Sequence, residues 1–277
     1  MTIKLSSLRR MTNDLAPVVL IYGPAGMGKT STALENPDHA YLQIHPERPP
    51  VGIEANSFGE LSTYAQVVEA LGALYQEQHS FRSVVIDSLD ALEALVWAET
   101  CKRMNWKDLE EPGYGKGYKA SDYVWREFIA GCDALRRDKG LTIVWLALAE
   151  ATNHEDPGKP PYKKYELRLH DRGEKLLTQA ADAVLFVNMK VTIQETDTGF
   201  NRKVAHADGG GTRWMFCDGR PAFVAKNRFN MPDAVVLPKG RAWAELSKYL
   251  PGQAAAAPVA PMAMTGGPEP EAEAAAA

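Results

Sequence analysis

Apolar residues fall in short blocks along this chain, and the spacing within the blocks alternates between two periods. Residues 18–22 are uninterruptedly apolar and run straight into a glycine-rich turn, the pattern of a strand covered on both faces. Residues 31–34 suit a helix start and residues 40–44 a second strand. Over 64–75, Val67, Leu71, Leu74 and Tyr75 recur at helical spacing, and 83–86 form an apolar strand that ends at Asp87. Leu89, Leu92 and Val96 continue a helical face until Gly113, Gly115 and Gly117 break it. Val124, Phe128, Cys132 and Leu135 mark another amphipathic helix, and 141–148 is a second continuous apolar run. This alternation predicts an α/β fold with a mostly parallel central sheet flanked by helices.

Beyond that point the pattern weakens. Residues 151–171 lack periodicity and contain Pro157, Gly158, Pro160 and Pro161, which predicts a long loop inside the domain. Strand character returns at 183–193, a glycine turn follows at 209–211, and 214–216 with 222–225 make the C-terminal part strand-rich. A last helix uses Trp243, Leu246 and Leu250. After Pro251 the chain becomes Ala/Pro/Gly-rich, with Glu269, Glu271 and Glu273 among alanines. That composition buries too little apolar surface to offset ordering entropy, so residues 251–277 are expected to form a disordered acidic tail. The expected division is an N-terminal segment over 1–16, one folded domain over 17–250, and the tail.

Composition changes this picture little. Of 277 residues, 45% are hydrophobic and 24% charged, ordinary for a globular protein. The net charge of -4 argues against coating nucleic acid through global charge and leaves only local basic loops for that purpose. Cys101, Cys132 and Cys217 lie far apart without a C-x-x-C pair, so neither a disulfide framework nor a zinc site is indicated. Residues 1–16 lack an apolar core of signal-peptide length and no later run reaches membrane-spanning length, so no membrane is expected and the cytoplasm is the expected compartment.

The chemistry concentrates at residues 23–30. Gly23, Pro24, Ala25, Gly26, Met27, Gly28, Lys29 and Thr30, followed by Ser31, read G-x-x-x-x-G-K-T between a strand and a helix start. In such a loop Gly26 and Gly28 bring backbone amides onto phosphate oxygens without a Cβ clash, Lys29 reaches the terminal phosphates, and Thr30 offers a hydroxyl to Mg²⁺. The expected ligands are therefore ATP and Mg²⁺. Asp87, at the end of an apolar strand, fits the carboxylate that holds the magnesium shell; the plainer role is capping the helix after it. Hydrolysis also needs a carboxylate to orient the attacking water. Glu47 and Glu54 are the candidates, and Glu47 lies nearer a strand end.

With these motifs in place, the order of elements over residues 17–232 resembles the RecA-like recombinase ATPases, especially the bacteriophage RecA-like single-strand annealing proteins. The segment Ala225-Lys226-Asn227-Arg228-Phe229-Asn230-Met231-Pro232 looks like the Lys-Asn-Lys segment of RecA. The resemblance implies a RecA-like P-loop ATPase domain over 17–250. It implies that Lys226 and Arg228 reach across a subunit interface to a neighbour's γ-phosphate, so the chain would act as a homo-oligomer, a ring or a filament. It also implies single-stranded DNA binding by two loops: residues 113–118 with Lys116 and Tyr118, and residues 151–171 with Lys159, Tyr162, Lys163, Lys164, Tyr165 and Arg168. Such cations and aromatics track a phosphate backbone and stack bases. Both segments also suit a lid over nucleotide or a subunit contact. Where relatives carry a polar γ-phosphate sensor, this chain reads Ala147-Leu148-Ala149-Glu150, leaving Glu150 to couple the site to the second loop.

The function so implied is ATP hydrolysis acting on single-stranded DNA in phage-type homologous recombination or strand annealing. The acidic tail could recruit a single-strand DNA-binding protein or shield the DNA site; the plainer role is an inert, solubilising tail. Two other functions fit the motifs: a P-loop phosphotransferase on a small molecule, and a nucleotide switch that loads a replication partner.

Overall fold

The computed structural model describes residues 4–5, 8–9, 15–156, 158, 160–190, 192–197, 203–208 and 211–251. In chain order the elements are β1 (Val18–Gly23), α1 (Lys29–Leu34), β2 (His39–Ile44), β3 (Asn56–Leu61), α2 (Tyr64–Gln76), β4 (Ser83–Asp87), α3 (Leu89–Met104), α4 (Lys116–Asp138), β5 (Thr142–His154) and β6 (Tyr162–Leu167). Then come α5 (Asp171–Ala180), β7 (Ala183–Met189), β8 (Thr192–Asp197), β9 (Lys203–Asp208), β10 (Arg213–Phe216), β11 (Lys226–Asn227), β12 (Ala234–Val236) and α6 (Ala242–Ser247). The main sheet runs β12-β10-β7-β1-β5-β4-β2-β3. From β7 to β3 every pair is parallel, while β10, β11 and β12 join antiparallel. This is the mostly parallel, helix-flanked α/β arrangement expected from the alternating pattern.

The apolar runs are continuous because both faces of the sheet are covered. In β1, Val18, Leu20 and Tyr22 enter one core cluster with residues of α2, α3, α4 and α5, whereas Val19 and Ile21 enter a second cluster with residues of α1, β10, β12 and α6. Each strand residue therefore loses about the full apolar area of its side chain to one layer or the other. Such burial stabilises by roughly 1.5–3 kcal/mol for a Val, Leu or Ile. Helix starts follow capping chemistry. Thr63 and Gln66 form a reciprocal capping box on α2, and the Ser88 side chain caps α3 by accepting from Ala91 N.

Several segments differ from the sequence expectation. Residues 151–171 are not an irregular loop. β5 continues well past the sheet and pairs antiparallel with β6, Ala149 opposite Leu167 out to His154 opposite Tyr162, as a projecting hairpin. α5 follows at once, an element whose only buried positions are Gly173 and Leu177, too thin an apolar stripe for periodicity to find. β3 is an edge strand buried only at Leu61, which hid it within an apparently irregular stretch. Residues 222–225 do not form a strand; β11 begins just after them. Residues 252–277, where the tail was expected, lie outside the described residues, as does most of 1–16.

Candidate functional site

β1 ends at Gly23 and the loop turns through Gly26 and Gly28, both in the left-handed region at φ 79° and 74°, which glycine adopts without strain. An added Cβ on Gly23 would lie 2.2 Å from the Val187 carbonyl oxygen, so this position also needs glycine for close strand approach. Lys29 folds back over the loop, its Nζ donating to Gly23 O at 2.9 Å and Pro24 O at 3.0 Å. The ammonium is buried. Burial pushes its pKa down, and the charges of Asp87, Asp90 and Glu47 oppose that shift.

β4 stands two strands from β1, with β5 between them, and delivers Asp87 to the same end of the sheet. Thr30 Oγ1 donates to Asp87 Oδ2 at 2.7 Å, and Tyr41 OH donates to the same oxygen at 3.1 Å. Burial pushes the Asp87 carboxyl up to about 6, with the Thr30 hydrogen bond pulling the other way. Ser88 Oγ donates to Glu47 Oε1 at 3.0 Å. Lys29, Thr30, Ser31, Glu47, Asp87 and Ser88 line one cleft of about 390 Å³ together with Ala25, Gly26, Gly28, Ala147 and Leu148. Glu54 lines a different cavity, so of the two glutamates only Glu47 shares the cleft with Lys29 and Thr30.

The donor set fits Mg²⁺. A hydroxyl and a carboxylate are hard oxygen ligands, and this ion takes only one or two protein groups while keeping waters and substrate phosphates. Among the described residues no three His, Cys, Asp or Glu side chains form a metal cage.

The residues expected to contact DNA are dispersed more unevenly. Lys116 is exposed at the first turn of α4. Tyr118, two residues on, is packed instead: its ring stacks on His170 at 4.3 Å and meets Trp97 edge-on at 5.6 Å. On the hairpin, Lys163 is exposed, and Tyr162 lies against His154 with ring centroids 5.3 Å apart. Lys164 is held by Glu166 at 2.9 Å, and the Tyr165 ring lies 5.2 Å from Phe186 in the core. Arg168, half exposed, pairs with Asp90 at 3.0 Å. Lys159 lies outside the described residues.

Lys226 and Arg228 sit at the far end of the sheet, since Lys226 is in register with Val184 and that residue with Leu20, three positions before the phosphate loop. Lys226 Nζ donates to the carbonyls of Thr178, Gln179 and Ala181 at 2.6–3.1 Å, capping the C-terminal end of α5. Arg228 pairs with Asp182 at 3.2 Å while remaining 55% exposed.

Two residues, Asp90 and Arg213, make contacts that escaped the sequence reading. Asp90 Oδ1 accepts from Leu148 N at 2.9 Å while Oδ2 holds Arg168, so the first turn of α3 is tied to both strands of the hairpin root. Glu150, expected to make that connection, is exposed and faces Glu166 across the hairpin. Arg213 also reaches the loop, its Nη1 donating to Met27 O at 3.3 Å. No spacing links Arg213 to residues 23–30; only the antiparallel return of β10 brings them together.

A family match covers residues 16–229 and is described as an AAA domain. No curated protein sequence matches the chain. Among solved structures, a crystal structure of the RadB recombinase is similar at 15% identity with a TM-score of 0.45, over 82% of this chain and 90% of that one. With the family match spanning most of its length, the chain belongs to the AAA_24 family of AAA domains.

Proposed function

We propose that this protein is a magnesium-dependent ATPase of RecA-like type that acts on single-stranded DNA as a homo-oligomer, in recombination or strand annealing. The observation that carries the nucleotide part is the 2.7 Å hydrogen bond from Thr30 to Asp87, next to a buried Lys29. Two residues 57 positions apart meet where a phosphate-bound cation needs them. Membership of an AAA family supports ATP as the substrate.

In this reading the amides of 26–30 cradle the phosphates, and Lys29 exchanges its two carbonyl acceptors for phosphate oxygens. Thr30 and Asp87 would hold Mg²⁺, which would supply positive charge to neutralise the phosphates. Glu47, steadied by Ser88, accepts a hydrogen bond from the attacking water and so aligns it. Arg228 is the better suited of the two basic residues to act on a neighbouring subunit. It is half exposed and leaves a single partner, whereas Lys226 would abandon three carbonyls. The hairpin carries Tyr162 and Lys163 away from the sheet, and Arg168 stands half exposed at its root, where a single strand can reach them.

The test is ATP hydrolysis by the full chain with and without single-stranded DNA. Lys29→Ala is expected to lower hydrolysis at least about tenfold, the scale of one lost charged hydrogen bond. Single-stranded DNA is expected to raise the wild-type rate. Phosphate transfer to a metabolite in place of water, or hydrolysis indifferent to Lys29, would overturn the assignment.

A further inference from the structure

We propose that Arg213 is a second phosphate-binding cation of the nucleotide site, contacting the α- and β-phosphates from the side opposite Lys29. This rests on the nucleotide reading above and extends it to a residue outside every motif of the phosphate loop.

The geometry begins with register. On β7, Phe186 is level with Tyr22 of β1, and Arg213 of β10 is paired with Met189, three residues further on. Arg213 therefore stands beyond the end of β1, at the height of the loop itself. β10 holds it there through Met215, which is fully buried in the second core cluster, because alternate residues of a strand face the same way. A Cβ built on Gly28 would lie 2.0 Å from Arg213 Nη1. The guanidinium thus occupies the space that any side chain at 28 would fill, and Gly28 admits the arginine as well as the phosphates.

The cavities place it along the nucleotide. Gly26, Gly28 and Ser31 line both the cleft containing Asp87 and a neighbouring cavity of about 950 Å³. A triphosphate whose metal end lies at Thr30 and Asp87 passes over those three residues into the second cavity. Arg213 lines that second cavity with Leu34, Ile53, Leu237 and Pro238, and does not line the first. Glu35, Glu54 and Lys239 also line this cavity, but its apolar part suits a nucleoside, and its size is that of a small-molecule pocket. Arg213 consequently meets the phosphates nearest the nucleoside and not the one transferred to water. Its present acceptor is a neutral carbonyl at 3.3 Å; a phosphate oxygen offers a charged, shorter bond, and the planar fork can engage two oxygens at once.

The experiment is equilibrium titration of the full-length protein with a fluorescent ADP, then competition by unlabelled ADP and ATP, for wild type, Arg213→Ala, Arg213→Lys and Lys29→Ala. Arg213→Ala is expected to weaken ADP and ATP alike by about 10- to 100-fold, the worth of one charged hydrogen bond. Arg213→Lys, which keeps charge without the fork, is expected to fall between. Thermal melting without nucleotide should be the same for all four proteins. ADP affinity at the wild-type level in Arg213→Ala, with Lys29→Ala impaired, overturns this inference and leaves the nucleotide site standing. Loss confined to ATP overturns the placement at the α- and β-phosphates. A wild type that binds neither nucleotide overturns the site and this inference together. Should Arg213→Ala melt early, Arg213→Lys decides: unchanged ADP affinity in a protein of normal stability counts against any contact through the fork.

Discussion

Asp182 shows how much one residue can hold. It is buried, and its carboxylate accepts from Val18 N at 3.0 Å, from Arg136 Nη1 at 3.1 Å and from Arg228 Nη1 at 3.2 Å. Arg136 is itself buried, and its other carboxylate, Asp133, stands 3.9 Å away, so removing Asp182 leaves a charge in a low-dielectric interior with only that longer ion pair. Asp182→Ala is expected to cost roughly 3–5 kcal/mol, read as a lowered denaturant midpoint, whereas Arg228→Ala, whose side chain is half exposed, is expected to cost under about 1 kcal/mol. Equal losses for the two would contradict this division. At this scale the sequence was most readable where chemistry fixes spacing. G-x-x-x-x-G-K-T announces Lys29 and Thr30 because loop geometry demands those intervals, and Asp87 follows from its place at a strand end. Arg213 and Tyr41 have no such interval, since separate returns of the chain bring Arg213 to the loop and Tyr41 to Asp87.

Among the elements, the hairpin of β5 and β6 carries the largest departure from expectation. Its alternate positions mix Thr152, Lys164, Glu166 and His154, and no apolar face forms because the arm projects beyond the sheet. Prolines and glycine in its connection then suggest a loop throughout. The physical consequence lies at its root. Asp90 binds Leu148 N and Arg168 simultaneously, and it sits one helical turn from Asp87. In the proposed reading, a change in the first turn of α3 on nucleotide binding would pass through these two contacts to both strands of the arm. Asp90→Asn keeps an acceptor for Leu148 N but discards the charge that holds Arg168. It is expected to retain nucleotide affinity within about threefold while losing most of the stimulation of hydrolysis by single-stranded DNA, a pattern that Arg168→Ala should share. Undiminished stimulation in both variants would remove Asp90 from the connection.

Across the whole molecule, burial has raised three carboxyls at once: Asp87 up to about 6, Glu93 up to about 7 and Glu174 up to about 7, desolvation being the leading cause for each. Glu93 lies under the start of α5, where both its oxygens accept from His170 N at 3.1 Å, and Gly173 is packed so tightly there that an added Cβ would come 3.0 Å from Glu93 Oε1. The sign follows from linkage. A carboxyl whose folded pKa exceeds its unfolded value binds a proton more tightly when folded. The stability it contributes is complete below the unfolded value and is lost as pH rises through the folded one. For Glu93 the window runs from its ordinary 4.5 to about 7, with a slope of at most about 1.4 kcal/mol per pH unit. The nucleotide-free protein should therefore melt progressively lower from pH 5 to pH 7.5. Glu93→Gln, neutral throughout and still able to accept from His170 N, should show a shallower decline, with the gap between the two proteins closing or reversing toward the alkaline end because only the wild type pays to keep a charge there. Parallel curves for wild type and Glu93→Gln across that range would mean that the buried carboxyl does not titrate with folding, and that the packing of α5 on α3 is independent of its charge.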